Sequence, residues 1–264
     1  MLAVSKRLVT ILSAVLAVNL LGICAFLALA AAGWPGAPSR CLNDFVCYCE
    51  VPVAGWARQP GNTWSNLACV PAALFVAYDG VAGERARGNP ELARLGVVFA
   101  LALSAQGLGS IFFHASLTRW GAIVDAVSLV STPAATLAVN LQRIRVLRAD
   151  QVPWVVLGLA LLALGYRLLL LPVMAPLVLL MAIAVVVTER RARRLSANRA
   201  ARSARWVFGL MAVTVLFWVL SLRRGLPLCS DSFPWGHAVF HVIAAALSCA
   251  LWCHARDSLR ASAV

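Results

Sequence analysis

The feature that most constrains this chain is a series of apolar runs, each about 17 to 25 residues long. A run of this length crosses the hydrocarbon core of a bilayer as a helix, because a helix satisfies its backbone hydrogen bonds within itself. Of the 264 residues, 62% are hydrophobic and only 12% are charged. The sequence therefore predicts an all-α, polytopic transmembrane bundle with spans at 8–32, 62–79, 95–115, 122–142, 152–170, 172–188, 206–222 and 236–254.

The stretch 152–187 fits either one overlong helix or two short ones. Arg167, Pro172 and Pro176 interrupt it near the middle, and a proline removes a helical hydrogen bond. If this stretch forms two helices rather than one, the arginine-rich segment 190–205 lies on the same side of the membrane as the other basic segments. We therefore predict two helices.

The first apolar run also has two interpretations. It follows Lys6 and Arg7 and ends in the small residues 28–32, as a cleaved signal peptide would. Its core of about 25 residues is long for a signal peptide, which favours a retained anchor. The chain then divides into an N-terminal anchor (1–33), a loop that we call the cysteine loop (34–61), a seven-helix core (62–255) and a tail (256–264).

A net charge of +13 could indicate nucleic-acid binding, but the distribution of the basic residues follows the membrane instead. With the N-terminus in the cytoplasm, seventeen of the 23 basic residues fall on the cytoplasmic side. The others are Arg40, Arg58, Arg119, Arg167, Arg223 and Arg224. This asymmetry predicts that both termini are cytoplasmic and that no nucleic acid is bound. The alanine- and arginine-rich composition is typical of a bacterial protein, so we expect the bacterial inner membrane.

Four cysteines lie in predicted outer loops, where an oxidising compartment permits disulfides: Cys41, Cys47, Cys49 and Cys229. A bridge from the cysteine loop to Cys229 would join the segments that precede the second and the last helix. The sequence alone does not determine the pairing. In the alternative, Cys47 and Cys49 are metal-binding thiolates.

Three of the four histidines lie at the predicted outer ends of helices. His114 is near the end of the third span, which runs outward, and His237 and His241 begin the last span, which runs inward. Residues four apart share a helix face, so His237 and His241 are neighbours. We expect the three imidazoles at one depth, where three histidines and one open position form a catalytic zinc site. His254 lies at the inner end of its helix and is predicted not to be a ligand.

Two further polar residues share the predicted depth of the histidines. Ser110 lies one turn before His114, and Asp125 begins the fourth span. Zinc lowers the pKa of a bound water to about 7 and polarises a carbonyl. Asp125 could accept the proton of that water, and Ser110 could donate to the developing oxyanion. The pattern is typical of an amidase or esterase; in the alternative, the histidines only bind helix carbonyls at the membrane interface.

These elements form a longer pattern, namely Gly107-x-Gly109-Ser110-x-x-Phe113-His114, Asp125 and His237-x-x-x-His241. This pattern resembles the alkaline ceramidase family of intramembrane zinc hydrolases. The run Asn62-Thr63-Trp64-Ser65-Asn66 is similar to the segment that leads into the first helix of that family. The resemblance covers residues 47–254, and its serine, aspartate and histidine elements are shared with the wider superfamily that includes adiponectin-receptor-like proteins.

The resemblance implies a fold, a cofactor and a reaction. It implies that His114, His237 and His241 hold Zn²⁺ and that Ser110 and Asp125 are catalytic. The implied reaction cleaves the amide of a ceramide-like membrane lipid to a fatty acid and an amine. The first helix has no counterpart in the seven-helix core of the family and is an addition.

The resemblance also implies a Ca²⁺ site beside the zinc, and this chain departs from its pattern. Cys47 stands where the family has an aspartate, and Gln59 stands where it has a glutamate. The candidate calcium ligands that remain are Glu50, Gln59 and Asp44. Because calcium takes about six to eight oxygen ligands, these departures argue against a calcium site.

Two other functions compete with hydrolysis. A receptor or scaffold of the adiponectin-receptor type would keep the metal ligands with little turnover, and a transporter would line a path with polar residues. A receptor needs only the ligands, so Ser110 and Asp125 favour a hydrolase. Few polar residues continue toward the inner side, which counts against a transporter. The sequence does not specify the lipid, and an N-acyl lipid other than ceramide is also consistent with it.

Overall fold

The fold is built from α-helices. The computed structural model describes residues 6–41, 47–85, 90–169, 175–195, 201–223, 225–230 and 233–261. Within these ranges it contains no strand, which confirms the all-α prediction. In chain order the α-helices are α1 (Lys6–Ala31), α2 (Pro60–Ser65), α3 (Cys69–Arg85), α4 (Pro90–Ser116), α5 (Arg119–Leu129), α6 (Ser131–Arg143), α7 (Val152–Leu169), α8 (Ala175–Leu195), α9 (Ala201–Leu220) and α10 (Gly236–Ala261).

Six described segments are long and apolar enough to cross a membrane, and a shorter apolar helix covers Ala204–Leu220. The six are Leu8–Ala31, Pro60–Ala82, Pro90–Ser116, Arg119–Arg143, Val152–Leu169 and Gly236–Arg260. Large apolar side chains on α7, including Trp154 and Leu169, are exposed, as expected for a surface in contact with lipid. The chain is therefore an integral membrane protein. The stretch 152–187 contains the two separate helices α7 and α8, as predicted.

Prolines divide two of the predicted spans. The span predicted at 62–79 consists of α2, a 3₁₀ turn over Asn66–Ala68 and α3, because Pro71 has no N–H to continue an α-helix across the turn. The span predicted at 122–142 is divided into α5 and α6 ahead of Pro133 for the same reason. Hydrophobic periodicity alone predicted neither break.

The main apolar core lies between α3, α4, α6 and α10. Gly80 of α3 and Gly96 of α4 face each other so closely that a Cβ on either would lie 3.0 Å from the Cα of the other. Trp252 of α10 packs beside both glycines and is fully buried. Its indole N–H donates to Asp79 over 2.8 Å. This packing holds α4 against α3 and α10, and α4 and α10 carry His114, His237 and His241.

The N-terminal helix packs into the bundle. Asn19 is 1% exposed and donates to the Ser104 hydroxyl of α4 over 2.9 Å. At the far end of α1, the ring of Phe26 packs edge-on against Trp34 and Trp64, with centroid distances of 5.4 and 5.5 Å. Whether α1 is retained as an anchor stays a prediction, and its buried polar contact favours retention.

Gly107 and Gly109 serve close helix packing. A Cβ on Gly109 would lie 2.5 Å from the Ser128 Cβ and 3.2 Å from the Val124 carbonyl oxygen of α5. We expect Gly109→Ala to lower the free energy of unfolding by about 1–3 kcal/mol through overpacking. Gly158→Ala on α7 is the matched control, because nothing lies within 4 Å of the added Cβ, and alanine there should stabilise the helix by about 0.5–1 kcal/mol. Thermal midpoints in detergent measure both changes, and equal midpoints would contradict this packing.

Candidate metal centre

Three buried imidazoles converge at one end of the bundle. His114, His237 and His241 are 1%, 2% and 5% exposed. Their ring centroids are 5.2 Å (His114 to His237), 5.0 Å (His114 to His241) and 4.6 Å (His237 to His241) apart. One ring nitrogen of each lies within 4.8 Å of the others. Among the described residues, this is the only group of three histidine, cysteine or acidic side chains placed to hold a metal ion.

The ends of α4 and α10 bring these histidines together. α4 ends at Ser116, two residues after His114, and Leu117 then turns the chain with a φ of 48°. α10 begins at Gly236, directly before His237. A Cβ at Gly236 would collide with the Leu228 carbonyl, so the close approach at this turn requires glycine. The last turn of α4 therefore meets the first turn of α10.

A glutamine orients the imidazole of His114. The Nδ1 of His114 lies 2.7 Å from the Gln59 Oε1. The amide group of Gln59 donates to the backbone carbonyls of Cys47 (3.0 Å) and Glu50 (2.8 Å), so its oxygen must face the histidine. Nδ1 is then the protonated nitrogen and donates to Gln59, which leaves the lone pair on Nε2.

Serine hydroxyls orient the other two imidazoles. The Ser65 Oγ lies 2.8 Å from the Nδ1 of His241, and the Ser221 Oγ lies 3.2 Å from the Nδ1 of His237. The Ser221 hydroxyl donates its single hydrogen to a backbone carbonyl, so its oxygen accepts from the His237 imidazole. The amide nitrogen of Asn66, which can only donate, lies 3.0 Å from the Nδ1 of His241. Protein groups thus contact the Nδ1 of both imidazoles, and Nε2 is the nitrogen left to bind a metal.

This donor set fits zinc. Zinc in a catalytic site takes three nitrogen ligands from neutral imidazoles and keeps a fourth position open. The non-ligating N–H of such a histidine usually donates to an oxygen, which fixes the ring and its tautomer. Gln59, Ser65 and Ser221 supply these oxygens here. The three buried histidines match a zinc site in their chemistry and burial.

Ser110 and Asp125 lie side by side on α4 and α5. The turn at Leu117 and Thr118 makes these helices antiparallel, so Ser110, six residues before the end of α4, is level with Asp125, six residues after the start of α5. The Ser110 hydroxyl lies close enough to Asp125 to stabilise its carboxylate. Ser110 is 7% exposed and precedes His114 by one turn. The structure therefore brings the predicted serine and aspartate together next to a histidine of the cluster.

Tyr48 of the cysteine loop covers the histidine cluster. Its ring centroid is 4.3 Å from that of His237 and 5.1 Å from that of His114. Burial raises the pKa of Tyr48 well above its ordinary value, the negative charge of Asp125 raises it further, and Arg167 opposes the rise. The Tyr48 phenol is therefore neutral and lies within electrostatic reach of Asp125.

Two disulfides hold the cysteine loop. Cys41 pairs with Cys47, and Cys49 pairs with Cys229 in the connection between α9 and α10. The second bridge is the one that the sequence suggested between the loop and Cys229. The alternative of Cys47 and Cys49 as metal thiolates is wrong, because both sulfurs are in disulfides. The bridge to Cys229 flanks Tyr48 directly and fixes it over the histidines.

The two bridges should differ in their contribution to stability. The partners of Cys49–Cys229 are 180 residues apart and those of Cys41–Cys47 only 6. Loop-closure entropy predicts that removing the long bridge costs about 3 kcal/mol more than removing the short one. We expect the double variant Cys49→Ser with Cys229→Ser to melt at a lower temperature than Cys41→Ser with Cys47→Ser. Thermal midpoints in detergent check the order, and equal losses would contradict it.

The candidate calcium ligands do not form a second metal site in the described part of the chain. Asp44 lies outside the described residues. Gln59 is committed to His114 and to two loop carbonyls, and the Glu50 carboxylate accepts the backbone N–H groups of Gly61 and Asn62. At the opposite end of α10, His254 pairs with Glu189 over 2.7 Å, away from the other histidines.

The fold and the site define an all-α integral membrane protein whose three buried histidines can hold a metal ion. The family model described as Ceramidase matches residues 59–263, well over half of the chain. The chain therefore belongs to the ceramidase family, as its motifs predicted, and membership supports hydrolysis of ceramide-type lipids and a lipid substrate. α1 and most of the cysteine loop lie outside the matched residues. A search of curated proteins gave no match.

Several residues of the site were not identified from the sequence. Ser221 carried no signal of its own, and the contact of Tyr48 with His237 joins segments far apart in the chain. Ser65 and Asn66 were noted only as part of the run that resembles the family. Gln59 was noted as a candidate calcium ligand, and the structure instead places it against His114. Hydrogen-bond partners of this kind are set by tertiary packing and leave no periodic pattern.

Proposed function

We propose that this protein is a zinc-dependent intramembrane hydrolase that cleaves the amide bond of ceramide or a ceramide-like N-acyl lipid to a fatty acid and an amine. The observation that carries the proposal is that Ser110 and Asp125 lie close together, with Ser110 one helical turn from a cluster of three histidines whose ring nitrogens converge. A receptor or scaffold would need the histidines alone. Membership of the ceramidase family supports the amide of a lipid as the bond that is cleaved.

Each residue has a role in this proposal. His114, His237 and His241 hold zinc, which when bound makes a water molecule acidic and polarises the amide carbonyl. The Asp125 carboxylate accepts a proton from the attacking water and later returns it to the leaving amine. The Ser110 hydroxyl, which lies beside Asp125 in this structure, donates to the carbonyl oxygen as negative charge develops there. Tyr48 shields the histidines and excludes bulk water from the loop side.

The reaction is tested with purified protein in detergent or lipid vesicles. We expect release of fatty acid and amine from ceramide, from an N-acyl amino-acid lipid, or from both, measured by mass spectrometry after lipid extraction. Phosphatidylcholine, whose acyl chains are held by esters, serves as the control substrate, because an amide-selective enzyme should release little fatty acid from it. Protein stripped with a zinc chelator should lose activity and regain it with zinc. No product from any N-acyl lipid by zinc-loaded protein would overturn the proposal.

We propose that the histidine end of the bundle faces the outer side of the membrane and that both termini are cytoplasmic. The distribution of basic residues supports this orientation. Two disulfides at the histidine end also support it, because such bonds persist in oxidising compartments.

The orientation predicts the reactivity of the four paired cysteines in intact cells. A membrane-impermeant thiol probe should label the cysteine loop only after a reductant is added, and labelling should disappear in a variant that lacks these cysteines. A reporter fused to the C-terminus should be active only in the cytoplasm. A C-terminal reporter that is active only outside the cytoplasm would contradict the proposed orientation.

A further inference from the structure

Backbone carbonyls of the cysteine loop converge on two side-chain amides. Gln59 donates to the carbonyls of Cys47 and Glu50 over 3.0 and 2.8 Å. Asn62 donates to the carbonyl of Tyr48 over 2.9 Å. Both amide side chains are fully buried. A tight loop that turns three carbonyl oxygens inward needs a cation or N–H donors to neutralise them, and here N–H donors occupy that place.

The one carboxylate among the described residues of the cysteine loop is also committed. The Glu50 oxygens accept the backbone N–H groups of Gly61 and Asn62, each over 2.8 Å, at the start of α2. Burial raises the pKa of Glu50, and these two hydrogen bonds oppose the rise. Glu50 thus satisfies orphan N–H groups of a helix terminus.

The calcium that the family resemblance implies does not fit this arrangement. Calcium takes about six to eight oxygen ligands. The inward carbonyls of the loop already bind N–H groups, and the amide nitrogen of Gln59 stands where a cation would have to lie. Nitrogen donors of this kind repel a cation.

The other end of Gln59 reaches the proposed zinc centre. Its Oε1 accepts from the Nδ1 of His114 over 2.7 Å. Its backbone N–H also donates to the His114 carbonyl over 3.0 Å. One side chain therefore fixes both the fold of the cysteine loop and the orientation of a histidine in the cluster.

We propose that Gln59 is a positioning residue that fastens the cysteine loop to His114, and that it makes this chain independent of calcium. Its amide nitrogen takes the place of a cation between the loop carbonyls, and its amide oxygen holds the imidazole with Nε2 toward the proposed zinc. The part concerning His114 rests on the proposed function. The part concerning calcium does not.

The test compares Gln59→Leu and Gln59→Glu with the wild type and with Gln151→Glu, an exposed glutamine far from the site. Two quantities are measured on full-length protein in detergent: the thermal midpoint with calcium or with a calcium chelator, and the rate at which a zinc chelator removes zinc. Neither quantity depends on turnover. A failure of hydrolysis and a failure of this proposal are therefore distinguishable.

We expect calcium to leave the wild-type and Gln151→Glu midpoints unchanged. Gln59→Glu keeps an acceptor for His114 but directs a carboxylate at the loop carbonyls, so calcium should raise its midpoint and zinc retention should stay within a few-fold of wild type. Gln59→Leu keeps neither contact and should bind zinc about 10- to 100-fold more weakly. A calcium-dependent midpoint in the wild type, a Gln59→Glu midpoint that ignores calcium, or wild-type zinc retention in Gln59→Leu would each overturn the proposal.

Discussion

We expect each of the variants His114→Ala, His237→Ala and His241→Ala to lose most of the zinc that the purified protein carries. Structural zinc sites bind with about 10–16 kcal/mol through four ligands, so loss of one ligand costs about 3–4 kcal/mol, or roughly 10²- to 10³-fold in affinity. The two remaining imidazoles stay within ligand distance of each other but leave the ion under-coordinated. Elemental analysis after dialysis against a weak chelator measures the zinc content.

His254→Gln is the control for this series. His254 lies on the same helix as His237 and His241, and it bonds with Glu189 at the opposite end. Its replacement should leave about one zinc per chain. Equal zinc in all four variants would contradict the assignment of the centre, whatever the effect of each variant on stability.

Asp125→Asn and Ser110→Ala should each retain zinc and lower the rate of amide hydrolysis by roughly 10²-fold or more. An asparagine cannot accept the proton of the attacking water, and an alanine cannot donate to the developing oxyanion. Each change also alters the contact between the two residues but leaves the three histidines in place. The measurement is the turnover rate of zinc-loaded protein on the preferred N-acyl lipid.

Two replacements of the same type control for stability. Asp150→Asn removes a carboxylate that is half exposed and bonded to Arg148. Ser248→Ala removes a buried hydroxyl on α10 that bonds only to the carbonyl one turn earlier. Both should keep wild-type turnover. Full activity in Asp125→Asn or Ser110→Ala would remove that residue from the mechanism.

The parts of the fold that follow from local chemistry were predictable. Long apolar runs predicted the membrane helices, and the phase of those helices predicted that His114, His237 and His241 would meet. Ser110 and Asp125 are within one helical hairpin, so their pairing also follows from helix direction and turn length. Each of these inferences needs only the period of a helix and the position of a turn.

The partners that orient the imidazoles were beyond such inference. Gln59 is 55 residues from His114 in the sequence, and Ser65 is 176 residues from His241. Such pairs depend on how α2, α4 and α10 pack, and amphipathic patterns do not encode side-chain register between helices. The breaks near Pro71 and Pro133 were missed for another reason, because a proline can kink a membrane helix without ending it.

The buried contacts of α1 and the cysteine loop bear on where this protein can be divided. The region shared with the family begins at Gln59. Three residues with contacts in the site precede that point, namely Tyr48, Cys49 and Glu50. Asn19 of α1, which also precedes it, donates to Ser104 of α4. A chain cut at the family boundary would lose the tyrosine over the histidines, the carboxylate that caps α2 and the longer disulfide together. Sequence similarity marks what relatives have in common, whereas the buried contacts of this chain extend to the first helix.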